Sequence, residues 1–331
     1  MGHFISYRIL RGTAGKDGFA ELRDSGMGAL WTLDRELVVL DKTPLSNIAT
    51  LADGKLYALQ NALHLDGRVS AYPAHARGHS MSNCFLLVED DAAVLIDTGY
   101  AVHQPIIRGQ IESLLNGSQR LSLFPLRLNE FMSINNVETL AADLDVEQCY
   151  TGNPDAAWWF DFGATSDHGQ PVLDKLKITV VSREQTLPIG GGDRVLDVFQ
   201  APIRLISTRW IYDRTTKTLF TSDMFSHVWR DTPQGPWFVD ETNDTSSFDH
   251  VRSFLLNTRY WWLEGVHTGP LRKAVAKVIE TYDIETLAPG YGAIIRGRDL
   301  VEKQFRIFDE VLASLDRSVQ PSRYVDRDEE R

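Results

Sequence analysis

The chain has 331 residues, 43% of them hydrophobic, enough to bury a large core as one α/β domain or two smaller ones. Its net charge of −11 excludes partners that need a basic surface, so neither nucleic acid nor an anionic membrane is expected to bind. No apolar run approaches the roughly 20 residues that span a bilayer, and the N-terminus lacks the order of a signal peptide. With only Cys84 and Cys149 there is no disulfide framework, and a reduced, cytoplasmic protein is expected.

In chain order, residues 1–45 read as an N-terminal extension with a strand at Glu36–Leu40. Alternating apolar positions predict short strands at Leu56–Leu63 and Val69–Tyr72, turned by Asp66-Gly67. Cys84–Val88 and Ala93–Ile96 read as two apolar strands ending in Asp97-Thr98-Gly99, with Cys84 a small core residue. A helix is predicted over Ile106–Leu115, stopped by Asn116-Gly117. Leu126-Arg127-Leu128 leads into a loop over Asn129–Asn136, and a further helix begins near Val137.

Ile178–Ser182 and Val195–Gln200 flank Gly190-Gly191-Gly192-Asp193 and read as a hairpin, as do Arg204–Tyr212 and Lys217–Thr221. Leu271–Tyr282 is amphipathic, a strand follows at Thr286–Ala288, and a last helix spans Leu300–Leu315. Residues 46–318 then form the main domain and 319–331 a charged tail. Hairpins followed by strands alternating with helices, twice over, predict two sheets face to face with helices outside, an α/β protein built as an αββα four-layer sandwich.

Particular segments sharpen this. Gly78-His79-Ser80-Met81-Ser82-Asn83 entering a strand, then Leu95-Ile96-Asp97-Thr98-Gly99, resembles the opening hairpin of the metallo-β-lactamase fold. Ile211-Tyr212-Asp213 through Leu219–Phe225 resembles the strand that leads to the bridging aspartate in the flavodiiron, oxygen-binding branch, at Asp223. Leu287-Ala288-Pro289-Gly290-Tyr291-Gly292 through Arg296 is similar to that branch's C-terminal histidine loop, with Tyr291 where histidine would stand. The resemblance covers roughly residues 50–315. No flavodoxin domain follows, which implies that any electron delivery would need another protein.

The same resemblance implies a dinuclear ligand set of imidazoles and carboxylates, of which only Glu130 and Asp223 keep ligand-type side chains. A later ligand histidine falls at or next to Arg204. A hydrolase-like register of the loop places Glu130, Met132, Ile134 and Asn135 on ligand positions and does no better, so no dinuclear site can be assembled. Two close carboxylates without a cation repel. The guanidinium of Arg204 is therefore expected to stand in the metal's place, worth about 4 kcal/mol at ~4 Å before desolvation.

Glu130 or Asp223 would serve as acid or base, with Arg204 and Tyr291 as electrostatic and hydrogen-bonding partners. Met132, Ser133 and Asn135 of the loop, His79, His227, Trp229 and Trp237 are expected around a pocket for an organic ligand. Expected cofactors are none; were a metal held, it would be one iron or zinc at Glu130 and Asp223, with His79 or His227 completing it.

The leading expectation is a metal-free binder of a small organic molecule, as a sensor, accessory protein or metal-independent enzyme. A metalloenzyme with a rebuilt ligand set, handling oxygen or NO or hydrolysing a substrate, is the alternative, and an interaction scaffold the third. The tryptophan doublets Trp158-Trp159 and Trp261-Trp262 and the resembled branch's head-to-tail pairing point to a homodimer.

Overall fold

A computed structural model describes residues 9–12, 31–33, 36–40, 45–163 and 172–319. The charged tail from residue 320 and most of the N-terminal extension lie outside the described residues. Glu36–Leu40 is a strand, paired antiparallel with Ile9–Gly12 on one side and Trp31–Leu33 on the other.

Two seven-stranded sheets make the body. The first runs in the order Ile178–Val180, Val146–Thr151, Arg120–Phe124, Ala92–Ile96, Gly78–Val88, Leu56–Leu65 and Ser46–Ala52. Its first four strands are parallel and the rest antiparallel. The second runs in the order Glu184–Pro188, Val195–Gln200, Arg209–Asp213, Thr218–Ser222, Thr286–Pro289, Ile294–Arg296 and Phe238–Val239.

Side-chain alternation explains why the two sheets stack. Phe85, Leu87, Val94, Ile96 and Phe124 of the first sheet pack against Val198, Ile211, Phe220, Ala288 and Ile294 of the second. Their neighbours Cys84, Leu86, Ala93 and Leu95 point the other way, onto Ile107 and Ile111, Val137 and Leu140, and Phe160. These belong to the helices Gln104–Leu114, Val137–Asp143 and Ala156–Gly163. A period-two strand buried on both faces must be apolar on both, and Cys84–Val88 and Ala92–Ile96 are.

The outer face of the second sheet is covered by Phe248–Leu256, Gly269–Thr281 and Arg298–Leu315, through Phe254, Val275, Val278, Phe305, Phe308 and Leu312. The result is helix, sheet, sheet, helix.

Three sequence expectations are corrected. Val69–Tyr72 is a turn, closed by the Tyr72 amide on the Val69 carbonyl at 3.0 Å, because Leu56–Leu65 pairs over its whole length with the longer strand Gly78–Val88. Ile178–Val180 is an edge strand of the first sheet, parallel to Cys149–Thr151, and the hairpin across Gly190–Gly192 joins Glu184–Pro188 to Val195–Gln200 instead. The strand expected from Arg204 begins only at Arg209. Pro202 lies in the irregular run before it, where a proline cannot donate to a ladder.

Polar side chains stitch the two sheets at the end where the site lies. Gln60 donates to Asn83 at 3.2 Å, and Asn83 donates to the carbonyls of Pro289 (2.9 Å) and Gly292 (3.1 Å). Isolated bridges join Ser82 to Tyr291, His79 to Arg230, and Arg127 to Thr208.

Candidate functional site

Four segments meet there. The turn after Arg120–Phe124 brings Arg127 and Glu130, and the turn after Thr218–Ser222 brings Asp223. The turn between helix Phe248–Leu256 and Trp261–Leu263 brings Arg259 and Tyr260, and the loop after Thr286–Pro289 brings Tyr291. Close backbone approach fixes the last of these. A Cβ on Gly290 would lie 2.4 Å from Met132 Cε, and one on Gly292, at φ +76°, would lie 2.5 Å from the Val228 carbonyl oxygen.

The charged groups form a ring of alternating sign. Arg127 Nη1 donates to Asp223 Oδ2 at 2.8 Å and stands 3.8 Å from Glu130 Oε2. Arg259 grips Glu130 with two bonds, Nη1 to Oε2 at 2.7 Å and Nη2 to Oε1 at 3.0 Å, and lies 3.7 Å from Asp223. Two cations thus balance two carboxylates. Fork-shaped guanidinium donors suit this role in a way an ammonium would not.

Tyrosines close the ring. Tyr291 donates to Glu130 Oε1 at 2.8 Å, its hydroxyl shares a 2.8 Å bond with Tyr100, and Tyr260 donates to Asp223 Oδ1 at 2.9 Å. Arg127 is 2% exposed at its side chain, whereas Glu130 and Arg259 reach solvent at 13% and 14%. The centre therefore has an open edge, where Arg259 also donates to Ser70 at 2.7 Å. Nε and Nη2 of Arg127 are enclosed and meet no acceptor among the described residues.

Electrostatics fixes the protonation. Burial pushes the Glu130 carboxyl up, but the charges of Arg127 and Arg259 and the bonds from Arg259 and Tyr291 outweigh it and hold it below the usual range. Burial likewise opposes the charge on Arg127, and Asp223 and Glu130 more than restore it. Burial first raises Tyr100 and pushes Tyr260 and Tyr291 well up, and all three stay protonated.

Asp97, the carboxylate ending strand Ala92–Ile96, lies behind this ring at 1% exposure. It sits in the left-handed region at φ +57° and accepts the Leu126 amide at 2.8 Å. Burial raises its pKa to about 6, against the pull of the Leu126 bond and the Arg127 charge. The native state therefore holds this proton more tightly than the unfolded chain, and stability falls as pH rises from about 4 to about 6. Asparagine keeps the acceptor and tolerates the backbone. Asp97→Asn is expected to gain about 2–3 kcal/mol over the wild type between pH 4 and pH 7.5. Urea unfolding at the two pH values measures this, and a pH-independent difference would refute it.

Of the residues named from sequence, Glu130, Asp223 and Tyr291 come together. Arg204 does not. Its Nη1 donates to the Ala201 carbonyl at 2.8 Å and it lies on an outer groove, because residues 201–208 turn back on themselves and present Thr208, not Arg204, to the centre. The positive charges are Arg127 and Arg259.

Leu126-Arg127-Leu128 carried the first signal, a cation between two leucines three residues before Glu130, while nothing local marks Arg259. Met132 and Ser133 are buried beneath the loop, their carbonyls taking the Gly99 amide (2.7 Å) and the Thr98 hydroxyl (2.8 Å). Asn135 ends the short helix Phe131–Ile134.

The histidines lie elsewhere. His79 Nδ1 meets the Asp231 carbonyl at 3.2 Å and its ring packs on His64, with its pKa lowered by burial and by that neighbour. His227 is buried against Ser246 Oγ at 3.0 Å and His250, and burial then His250 hold it neutral, with its pKa lowered to about 3. Trp229 packs edge-on to Tyr72, and Trp237 donates to the Pro233 carbonyl at 2.9 Å. Both are core residues.

No protein-family model matches the chain, and no curated protein matches it by sequence. Solved structures do match. Rubredoxin oxygen:oxidoreductase from Desulfovibrio gigas superposes at a TM-score of 0.59 with 17% identity, over 80% of this chain and 61% of its own. The flavodiiron protein from Giardia intestinalis gives 0.59 at 16%, over 81% and 59%. A metallo-β-lactamase from Pontibacter korlensis gives 0.51 at 14%, over 81% and 99%. The chain thus has the metallo-β-lactamase fold, in the form shared with flavodiiron proteins, and spans about three fifths of the first of these relatives.

The metals that such a fold implies do not fit the residues present. Both carboxylates are already gripped by guanidinium groups, and among the described residues no imidazole bonds to them and no group of three or more His, Cys, Asp or Glu could hold a metal ion.

Proposed function

We propose that this chain is a metal-free binding protein on the metallo-β-lactamase fold, whose arginine–carboxylate ring receives the carbonyl oxygen of a small neutral organic molecule. One observation carries the reading: two enclosed N–H groups of Arg127 lack an acceptor beside a ring whose charges already cancel. A neutral acceptor satisfies those donors, whereas an anion would leave an uncompensated buried charge. The ligand enters over the Glu130–Arg259 edge.

Binding is favoured over acid–base turnover. Glu130 is held ionised and Tyr100, Tyr260 and Tyr291 protonated, so none of them sits near neutral pH as an acid or base should. In this reading the protein is a cytoplasmic sensor or accessory protein and works as a homodimer, with the exposed Trp158 and Trp261 supporting a paired surface. Among the described residues no helix is long and apolar enough to cross a membrane.

A ligand-observed NMR screen tests the reading, using small amides, ketones and lactones beside matched carboxylates, on protein grown in metal-replete medium with its metal content measured. Neutral carbonyl compounds should bind, Arg127→Met should abolish the binding, and metal should be well below one ion per chain. Binding of carboxylates alone, or about one iron or zinc per chain lost in Asp223→Asn, would overturn it.

A further inference from the structure

The run 201–208, which bridges to Arg127 through Thr208, carries a second feature nearby. Arg204, Leu205 and Ile206 line a groove of about 480 Å³ with Pro202, Trp262 and Leu271. Gln200 and Ser207 also line it, so its walls are apolar and polar in about equal measure, and Leu205 is 58% exposed. The indole N–H of Trp262 is enclosed and meets no acceptor.

The charge here is unbalanced, unlike that of the central ring. Arg209, 4% exposed, spends one N–H on the Gly152 carbonyl at 3.0 Å, while its Nε and Nη1 find none. Arg204, Arg209 and Arg183 crowd one another closely enough that each of the first two is pushed below the usual arginine range, by burial first and then by neighbouring cations. Among the described residues, none of the three makes an ion pair with a carboxylate. In a chain of net charge −11, three uncompensated guanidinium groups at one place are a local inversion of sign.

We propose that this groove is a second ligand site, for a small amphiphilic anion. Its aromatic or aliphatic body lies on Leu205, Ile206, Leu271 and Trp262, and its acidic group meets Arg204, with Arg209 and Arg183 behind. The indole N–H of Trp262 supplies a neutral donor to the same ligand. Apolar contacts beside one charged anchor and a few fixed donors are how such sites gain both affinity and orientation. The site is independent of the central ring and takes the opposite class of ligand.

The probe is 8-anilinonaphthalene-1-sulfonate, an aromatic ring system with one sulfonate, titrated into the full chain and followed by its own emission and by tryptophan fluorescence. One saturable site per chain is expected. Arg204→Glu, a change at an exposed side chain, should weaken it roughly tenfold or more, the worth of a lost charge-assisted bond. Trp262→Phe, which keeps a ring and removes the donor, should weaken it less. Arg259→Gln should leave it unchanged. Equal affinity in wild type and Arg204→Glu would overturn the proposal, as would loss of the site in Arg259→Gln, which would place the probe in the central ring.

Discussion

Replacing Arg127 with methionine should cost about 3–5 kcal/mol of stability, the range for breaking a buried pair from one side. Asp223 would keep its bond from Tyr260 and lose its 2.8 Å cation, and Glu130 would keep Arg259 and Tyr291 but lose its second cation. For a chain of this size that is on the order of 10 °C in melting temperature. Without Arg127 the Glu130 carboxyl loses one of the charges that hold its pKa down, so the deficit should shrink as pH falls toward 4. The double variant with Asp223→Asn should recover part of the loss. Calorimetry of the three proteins at pH 4.5 and 7.5 measures all of this. A single variant as stable as wild type would mean that the ring is not a paired unit.

A matched loss is expected at Arg194, where function should not follow. Arg194 rises from the hairpin of the second sheet and pairs with Asp213 at 2.6 Å. Across the gap it meets the carbonyls of Lys55 (2.8 Å) and Val88 (3.2 Å) and the Glu89 carboxylate at 3.2 Å in the first sheet. Arg194 is 1% and Asp213 0% exposed at the side chain. Arg194→Met leaves Asp213 with only the Thr215 amide and the Thr216 hydroxyl, and should cost about 3–5 kcal/mol. Carbonyl-ligand binding per folded chain should survive, in contrast to Arg127→Met. Unfolding curves and the NMR screen on both variants separate a ring that binds from one that only holds the fold.

The layers were legible from sequence because their signal is local. Cys84–Val88 and Ala93–Ile96 alternate between two apolar cores, and only a strand buried on both faces needs that. Strand partners were less legible. Ile178–Val180 and Val195–Gln200 look like a hairpin across three glycines, yet one belongs to each sheet, since pairing is decided by contacts far along the chain.

At the site, Glu130, Asp223 and Tyr291 could be found through the motifs around them. The compensating cation could be foreseen as a need but not as a residue. Arg204 held the expected position in the chain, while Arg127 and Arg259 hold it in space, and Arg259 comes from a turn 129 residues beyond Glu130. Charge balance constrains what must be present in a buried site, not which segment supplies it.

The ring's members are supplied one by one along the chain. Arg127 and Glu130 are made long before Asp223, Arg259 and Tyr291. A nascent first half thus carries Arg127 and Glu130 without Asp223, the carboxylate that Arg127 bonds at 2.8 Å, and without Arg259, the cation that grips Glu130. The complete ring therefore needs turns from both sheets and the turn after helix Phe248–Leu256 to stand together.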